Sequence, residues 1–154
     1  MDKIIMFLAT GFYSGKLPKC PGTWGSIAAF LPWFFMRNLP LTSYLSILGV
    51  VFIVGCLLAG SAEKILDLAD AGPIVIDEFL GMFIALIAVP DHPVTWILAF
   101  VLFRLFDVLK PFPVSWFDQR IHGGFGIMMD DVVAGLYALA SLQILLLIWN
   151  TING

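Results

Sequence analysis

The sequence predicts an all-α fold, that of a small polytopic membrane protein whose apolar helices carry polar motifs at one face. Three observations lead to this prediction: 60% of the 154 residues are hydrophobic, 12% are charged, and the mean hydropathy is +0.99. Ordinary soluble domains have roughly a quarter charged residues and less than half apolar ones. We therefore expect one membrane-embedded domain over residues 1–154, with about four or five helices of ~20 residues.

Five apolar stretches account for the predicted helices. They cover residues 24–36, 44–60, 73–90, 94–106 and 132–149. The second and fifth have 17 and 18 residues without a charge, close to the length that crosses a bilayer. The first is short and contains Pro32, and the fourth soon reaches Arg104, so either is tilted or re-entrant as an alternative to a full crossing.

Lysine and arginine give the predicted orientation, because cytoplasmic flanks retain them during insertion. If all five stretches cross, Arg37 lies on one side and seven basic residues lie on the other: Lys3, Lys16, Lys19, Lys64, Arg104, Lys110 and Arg120. The polar motifs then lie on the cytoplasmic side. This arrangement suits an enzyme that acts on lipid headgroups, whereas a transporter places charges near the midplane. The net charge of −3 and the dispersed basic residues argue against a nucleic-acid partner.

Five carboxylates form the main candidate for a metal site. Asp77 and Glu78 lie early in the third stretch, Asp107 follows the fourth, and Asp130 and Asp131 precede the fifth. The first pair is explained without a metal as interfacial acids in headgroup water, and one acid of the last pair as a helix cap. If the five share one membrane depth, however, they need cations, and Mg²⁺ prefers such oxygen ligands.

Arg104 and Lys110 flank Asp107 at spacings of three residues, so the three side chains share one helical face. One interpretation is a self-neutralising ladder of charges at the membrane boundary. The other gives Asp107 to a metal and the two basic side chains to phosphate oxygens. The spacing alone leaves both open.

The segment "HGGFGIMMDD" adds a histidine and glycines to the candidates. His122 is a general acid, a metal ligand or simply an interfacial histidine. Gly123 and Gly124 would let backbone amides approach an anion, although their spacing is neither a P-loop nor a dinucleotide motif.

The segment "GFYSGKLPKCPGTWGS" predicts a tight loop before the first apolar stretch. Thr23 either caps the following helix or contacts a substrate. Lys16 either marks topology or attracts an anionic substrate.

Several catalytic signatures are absent from the sequence: Gly-x-Ser-x-Gly, His-Glu-x-x-His, the Walker A motif and a cysteine followed six positions later by arginine. The sequence therefore has no recognisable motif for covalent serine or cysteine catalysis or for zinc catalysis. Metal-assisted hydrolysis, in contrast, is supported by the five carboxylates, which could hold the metal ion.

Together these motifs strongly resemble the phosphatidylglycerophosphatase A family of bacterial membrane phosphatases. The resemblance is carried by "PKCPGTWGS", "VIDEFLGM" and above all "FRLFDVLKPFPVSWFDQRIHGGFGIMMDDVVAG". It implies Mg²⁺-dependent removal of the terminal phosphate from the lipid phosphatidylglycerophosphate, which yields phosphatidylglycerol. It also implies a multi-pass protein of the bacterial inner membrane, with the active site on the cytoplasmic side that the charge pattern predicts independently.

Carried over residue by residue, the resemblance implies a site built from the charged motif positions: Asp77, Glu78, Arg104, Asp107, Lys110, Asp118, Arg120, His122, Asp130 and Asp131. We interpret four of the acids as ligands of one or two Mg²⁺ ions: Glu78, Asp107, Asp130 and Asp131. Asp77 is either a further ligand or an acceptor of hydrogen bonds behind the ligands. Further substrate contacts are expected from Lys16, Thr23, Gly123 and Gly124.

The basic and proton-donating residues have separate expected roles. Arg104 and Lys110 would bind phosphate oxygens, and His122 would protonate the leaving glycerol oxygen. Arg120 either pairs with Asp118 across a turn or contacts the substrate. Attack by water and attack by an aspartate both stay open.

A membrane transporter or scaffold protein is the non-enzymatic alternative, with the acids as ion sites or subunit contacts. The one-sided charge argues against transport. A transferase of the CDP-alcohol type would need an Asp-Gly-x-x-Ala-Arg core, which the sequence lacks. The number of metal ions and the oligomeric state are left open.

Overall fold

Eight α-helices and a short 3₁₀ helix, at Ser14–Lys16, make up the computed structural model, which describes residues 1–153. The α-helices are α1 (Asp2–Ala9), α2 (Pro21–Ala28), α3 (Phe30–Met36), α4 (Leu41–Leu66), α5 (Ile76–Ala85), α6 (Pro93–Leu109), α7 (Val114–Arg120) and α8 (Gly123–Asn153). No strand occurs within these residues, so the predicted all-α class is confirmed.

By length and composition, α4 and α8 are the two helices of the described chain that are suited to crossing a membrane. They have 26 and 31 residues, or about 39 and 46 Å at the α-helical rise, against a hydrocarbon core of about 30 Å. They contain the second and fifth predicted stretches, and each extends beyond its stretch at both ends.

The first and third apolar stretches form shorter helices than the sequence predicts, while the fourth lies within the 17 residues of α6. Helix length therefore does not show four or five crossings. Residues 24–36 divide at Ala29 between α2 and α3. Residues 73–90 form only α5, whose ten residues span about 15 Å. All seven residues of Phe79–Ala85 are buried. An apolar segment buried inside a bundle has the same composition as a helix in lipid, which is why hydropathy overestimated the length of this helix.

α8 lies at the centre of the bundle and packs against α4, α5, α6 and α7. Glycines allow its closest crossings. A Cβ on Gly135 would lie 2.6 Å from the Gly81 carbonyl oxygen of α5, and a Cβ on Gly124 would overlap the Cys56 carbonyl oxygen of α4. Small residues at such crossings let two backbones approach closely. The crossings therefore fix the acids of α8 against the start of α5.

Polar contacts join the elements at both ends of the bundle. At one end, the Val75 N–H donates to the Ala9 carbonyl oxygen at 2.9 Å, which holds the end of α1 beside the start of α5. At the other end, Arg37 Nη1 lies 2.6 Å from Asp91 Oδ1 and links the segments after α3 and α5. The ends of α3 and α5 therefore meet, away from the acids at the start of α5.

Gly124→Ala should destabilise the fold, because its methyl group would overlap the Cys56 carbonyl oxygen and push α8 from α4. We expect the free energy of unfolding to fall by about 1–3 kcal/mol, measured by denaturant unfolding in detergent. Gly49→Ala in α4 is the matched control, since within the described chain its Cβ position has no atom closer than 4 Å. Equal losses in the two variants would contradict the packing role of Gly124.

Candidate active site

A cleft of about 530 Å³ opens where α5 and α8 bring their acids together. Its walls come from the start of α2, the first turn of α5, the end of α6 and the third turn of α8. The lining includes eight of the residues that the sequence singled out: Thr23, Asp77, Glu78, Arg104, Asp107, Lys110, Asp130 and Asp131. Residues far apart in the sequence therefore face one space.

Asp77, Glu78 and Asp131, which we call the acid cluster, each place a side-chain oxygen within 4.8 Å of the other two. Three buried oxygens of the cluster have no hydrogen-bond partner among residues 1–153: Asp77 Oδ1, Glu78 Oε2 and Asp131 Oδ2. Asp131 is 2% exposed. Buried carboxylates without partners are costly unless a cation neutralises them, and Mg²⁺ takes hard oxygen ligands of this kind. The cluster therefore fits the metal that the sequence predicts.

Arg104 lies beside the acid cluster and forms an ion pair with Asp107. Arg104 Nη1 is 2.5 Å from Asp107 Oδ2, and the two side chains are 19% and 15% exposed. The geometry is that of a close ion pair and not of an aligned hydrogen bond, because Nη1 has no hydrogen-bond partner within the described chain. Asp107 is thus neutralised, and the Arg104 guanidinium retains donor capacity at the cleft.

Lys110, the residue after α6, binds two carboxylates from different helices. Its Nζ contacts Asp118 of α7 and lies 2.9 Å from Asp130 Oδ2 of α8. Partial burial lowers the pKa of Lys110, but the hydrogen bonds to Asp118 and Asp130 outweigh it and raise the net pKa above its ordinary value. Asp130 Oδ1 accepts the Asp131 N–H at 3.0 Å. Asp130 is therefore bound to Lys110 beside the acid cluster.

The expected pair between Asp118 and Arg120 is wrong, since Asp118 contacts Lys110. Asp118 and Arg120 are two residues apart in α7, and side chains at this spacing point to different sides of a helix. Arg120 is exposed at the end of α7. The alternative, that Arg120 contacts the substrate, stays a prediction.

Other predicted substrate contacts lie outside the lining of the cleft. Lys16 is exposed, and its Nζ lies 4.6 Å from the centre of the Tyr13 ring. Gly124 is buried against α4, and Gly123 begins α8 with a φ of 75°. These positions favour structural roles for the two glycines, in packing and in the turn into α8.

His122 faces a different and smaller cavity. This cavity of about 50 Å³ is also lined by Glu63, Asp118 and Asp130, and Asp130 forms part of both cavities. His122 is exposed at the N-terminal end of α8. Its role as a general acid stays a prediction that this position does not favour.

Among the lining residues that sequence reasoning did not single out are Cys20, Gly22, Asp70 and Gly72. Gly22 has the clearest function, because a Cβ there would overlap Glu78 Oε1 and lie 3.0 Å from Arg104 Nη1. No local sequence pattern indicates this contact, since the need for a glycine arises from the side chains that α5 and α6 place opposite α2.

The arrangement of the cleft suits a phosphate group attached to an apolar molecule. A divalent cation at the acid cluster and the guanidinium of Arg104 would meet phosphate oxygens from neighbouring directions. The lining also includes apolar Phe100 and Val108, and Val108 is 68% exposed. Charged and lipid-compatible surfaces therefore adjoin at the cleft.

Known proteins resemble this chain over most of its length. A family model described as phosphatidylglycerophosphatase A matches residues 7–146. The phosphatidylglycerophosphatase A of Escherichia coli K12 is 45% identical over 84% of this chain and 76% of its own length, and that of Haemophilus influenzae is 46% identical over 87% and 83%. A Bacteroides thetaiotaomicron protein, provisionally named a phosphatidylinositol-3-phosphatase, is 38% identical over 86% and 87%. No solved structure matches.

Gly22→Ala should weaken the binding of Mg²⁺, because the added methyl group would displace the Glu78 carboxylate from the acid cluster. We expect the dissociation constant, measured by isothermal titration of purified protein, to rise about tenfold or more. Gly72→Ala is the control in the same cleft, since its Cβ would make an ordinary contact of 3.7 Å with Pro21. Unchanged affinity in Gly22→Ala would show that Glu78 does not hold the ion.

Proposed function

The chain belongs to the phosphatidylglycerophosphatase A family, and from this premise we propose that it hydrolyses the terminal phosphomonoester of phosphatidylglycerophosphate. The products are phosphatidylglycerol and phosphate. The observation that carries the proposal is the acid cluster, whose oxygens lie within 4.8 Å of one another in a cleft that also includes Arg104 and Lys110. In the reaction, the bond between phosphorus and the glycerol oxygen breaks, a water oxygen bonds to phosphorus, and a proton reaches the glycerol oxygen.

We assign Mg²⁺ to Asp77, Glu78 and Asp131. When bound, the ion supplies electrostatic stabilisation of the phosphoryl group and of the charge that develops during in-line displacement. Asp107 and Asp130, the other two acids in the predicted ligand set, are engaged by Arg104 and Lys110. Their proposed task is to hold these basic side chains at the edge of the acid cluster.

Arg104 is the proposed phosphate ligand. A guanidinium is planar and donates to two phosphate oxygens at once, which fixes the orientation of the group as well as its position. Asp107 holds the guanidinium in place through the 2.5 Å ion pair. Because Gly22 has no side chain, Glu78 and Arg104 both approach the start of α2 closely, and one phosphate could then meet both the arginine and the ion.

The substrate proposal also rests on the surface beside the cleft. Leu105, Val108 and Leu109 of α6 are 45%, 68% and 67% exposed, and Val108 lines the cleft itself. Acyl chains in the bilayer can cover such a surface while the headgroup occupies the polar cleft. Any lipid phosphomonoester would reach the polar lining of the cleft in this way. Selectivity for one headgroup over another is therefore expected to depend on the residues of that lining.

We further propose that the protein crosses the bacterial inner membrane several times, with the cleft facing the cytoplasm. Seven of the eight lysines and arginines fall on one side if all five apolar stretches cross. Arg37, the remaining one, pairs with Asp91 where the segments after α3 and α5 meet. This pairing is consistent with α3 and α5 both reaching the opposite side.

Asp131→Asn should abolish the Mg²⁺-dependent release of phosphate from detergent-dispersed phosphatidylglycerophosphate, because it removes a charged ligand from the acid cluster. We expect purified wild-type protein to be active with Mg²⁺ and inactive with EDTA, and the variant to lose at least about 100-fold in kcat/KM. Asp67→Asn, at an exposed position after α4, is the charge-matched control. Folded wild-type protein that releases no phosphate under either condition would favour the transporter or scaffold alternative.

The orientation can be tested by labelling Cys20 and, separately, a cysteine introduced at position 38. Cys20 is exposed at the cleft, so in a Cys56→Ala background a membrane-impermeant maleimide should label Cys20 in inverted inner-membrane vesicles and not in intact spheroplasts. Asn38→Cys in a chain without native cysteines should give the reciprocal result, because Asn38 is exposed at the opposite end. Labelling of Cys20 in spheroplasts would reverse the proposed orientation.

A further inference from the structure

We propose that Asp118 is a positioning residue, which holds the Lys110 ammonium on Asp130 and away from the acid cluster. The inference rests on the proposed function, because it assigns a task to residues around the same metal site. It differs from the role expected for Lys110 from the sequence, which was to bind phosphate.

The first step of the argument is the way in which Lys110 is held. Its side chain leaves the end of α6, where its N–H donates to the Phe106 carbonyl oxygen at 2.9 Å and its φ is 43°. Its Nζ then bridges Asp118 of α7 and Asp130 of α8, whose side chains are 30% and 11% exposed. Partly buried ion pairs are screened less by solvent and salt than exposed ones. Lys110 therefore connects α6, α7 and α8 at the edge of the cleft.

The second step is the connection from this bridge to the metal site. Asp130 Oδ2 binds Lys110 at 2.9 Å, while Asp130 Oδ1 accepts the N–H of Asp131 at 3.0 Å. Asp131 is a member of the acid cluster. The chain of contacts thus runs from Asp118 through Lys110 and Asp130 to a residue proposed to hold the ion.

The third step is what Lys110 would do without Asp118. Lys110 lines the same cleft as the acid cluster, and an ammonium group on a flexible stem moves readily to buried carboxylates that need a counter-ion. Released from one anchor, the ammonium would compete with Mg²⁺ for these carboxylates. Asp118 thereby favours the ion without touching it.

A direct phosphate contact by Lys110 would have a different kinetic signature. Two of the three N–H donors of Lys110 are taken by Asp118 and Asp130. If the remaining donor bound phosphate, loss of Lys110 would chiefly raise the KM for the lipid. If Asp118 acts by restraining Lys110, loss of Asp118 raises the Mg²⁺ concentration needed for activity. It leaves the KM for the lipid at saturating Mg²⁺ unchanged.

The test is a double-mutant cycle on Mg²⁺ affinity, measured by isothermal titration of purified full-length protein without substrate. We expect Asp118→Asn to raise the dissociation constant for Mg²⁺ about tenfold. In a Lys110→Met background the same change should have less than about a twofold effect, because Asp118 acts through the lysine. Lys110→Arg, which keeps the charge and can still donate to Asp118 and Asp130, should bind Mg²⁺ with close to wild-type affinity. At saturating Mg²⁺, the KM of Asp118→Asn for the lipid should equal that of the wild type.

Asp91→Asn is the matched control, because it breaks another ion pair, with Arg37, at the opposite end of the molecule. It should leave Mg²⁺ affinity unchanged. If Asp118→Asn does not fold, Asp118→Glu keeps the charge, displaces the carboxylate by one methylene and should give a smaller rise in the dissociation constant.

Three results would overturn the inference: wild-type affinity for Mg²⁺ in a folded Asp118 variant, equal effects of Asp118→Asn with and without Lys110, or a raised KM at saturating Mg²⁺ as the sole change. Absence of Mg²⁺ binding in the wild type would instead overturn the metal assignment of the proposed function. The two failures are therefore distinguishable before any turnover is measured.

Discussion

Repulsion among three buried carboxylates is the constraint on which the candidate site depends. Oxygens of Asp77, Glu78 and Asp131 lie within 4.8 Å of one another, inside a bundle whose composition is mostly apolar. Burial removes the water that would screen these charges, so the three carboxylates repel one another strongly. Such an arrangement costs stability in the absence of a counter-ion. The presence of these acids in the lining of a cleft therefore supports the proposed divalent cation.

Close helix packing brings these carboxylates together. Asp77 and Glu78 lie in the first turn of α5, and Asp131 lies in the third turn of α8. The crossing of the two helices is tight at Gly81 and Gly135, where a side chain on Gly135 would overlap the backbone of α5. Small residues in the helices, which contribute no chemistry themselves, thus determine the distance between the acids.

The remaining charges of the cleft are divided into pairs, and this division gives each acid its task. Arg104 takes Asp107, and Lys110 takes Asp130 together with Asp118. Paired acids orient basic side chains, whereas the acid cluster is left for a cation. Partial burial strengthens these ion pairs relative to exposed ones. In the proposed function, the acid cluster therefore binds the metal, while Arg104 binds the phosphate.

The sequence was sufficient to predict the all-α class, the family and the charged residues from which the cleft is built, because composition and motif spacing are local properties. It did not determine which acids are paired, that Asp118 meets Lys110 instead of Arg120, or that Gly22 must be small beside Glu78 and Arg104. It also predicted a longer helix than α5, since burial between helices and contact with lipid select the same apolar residues. These features can be read only from the three-dimensional structure, because each depends on the rotation and distance of one helix relative to another.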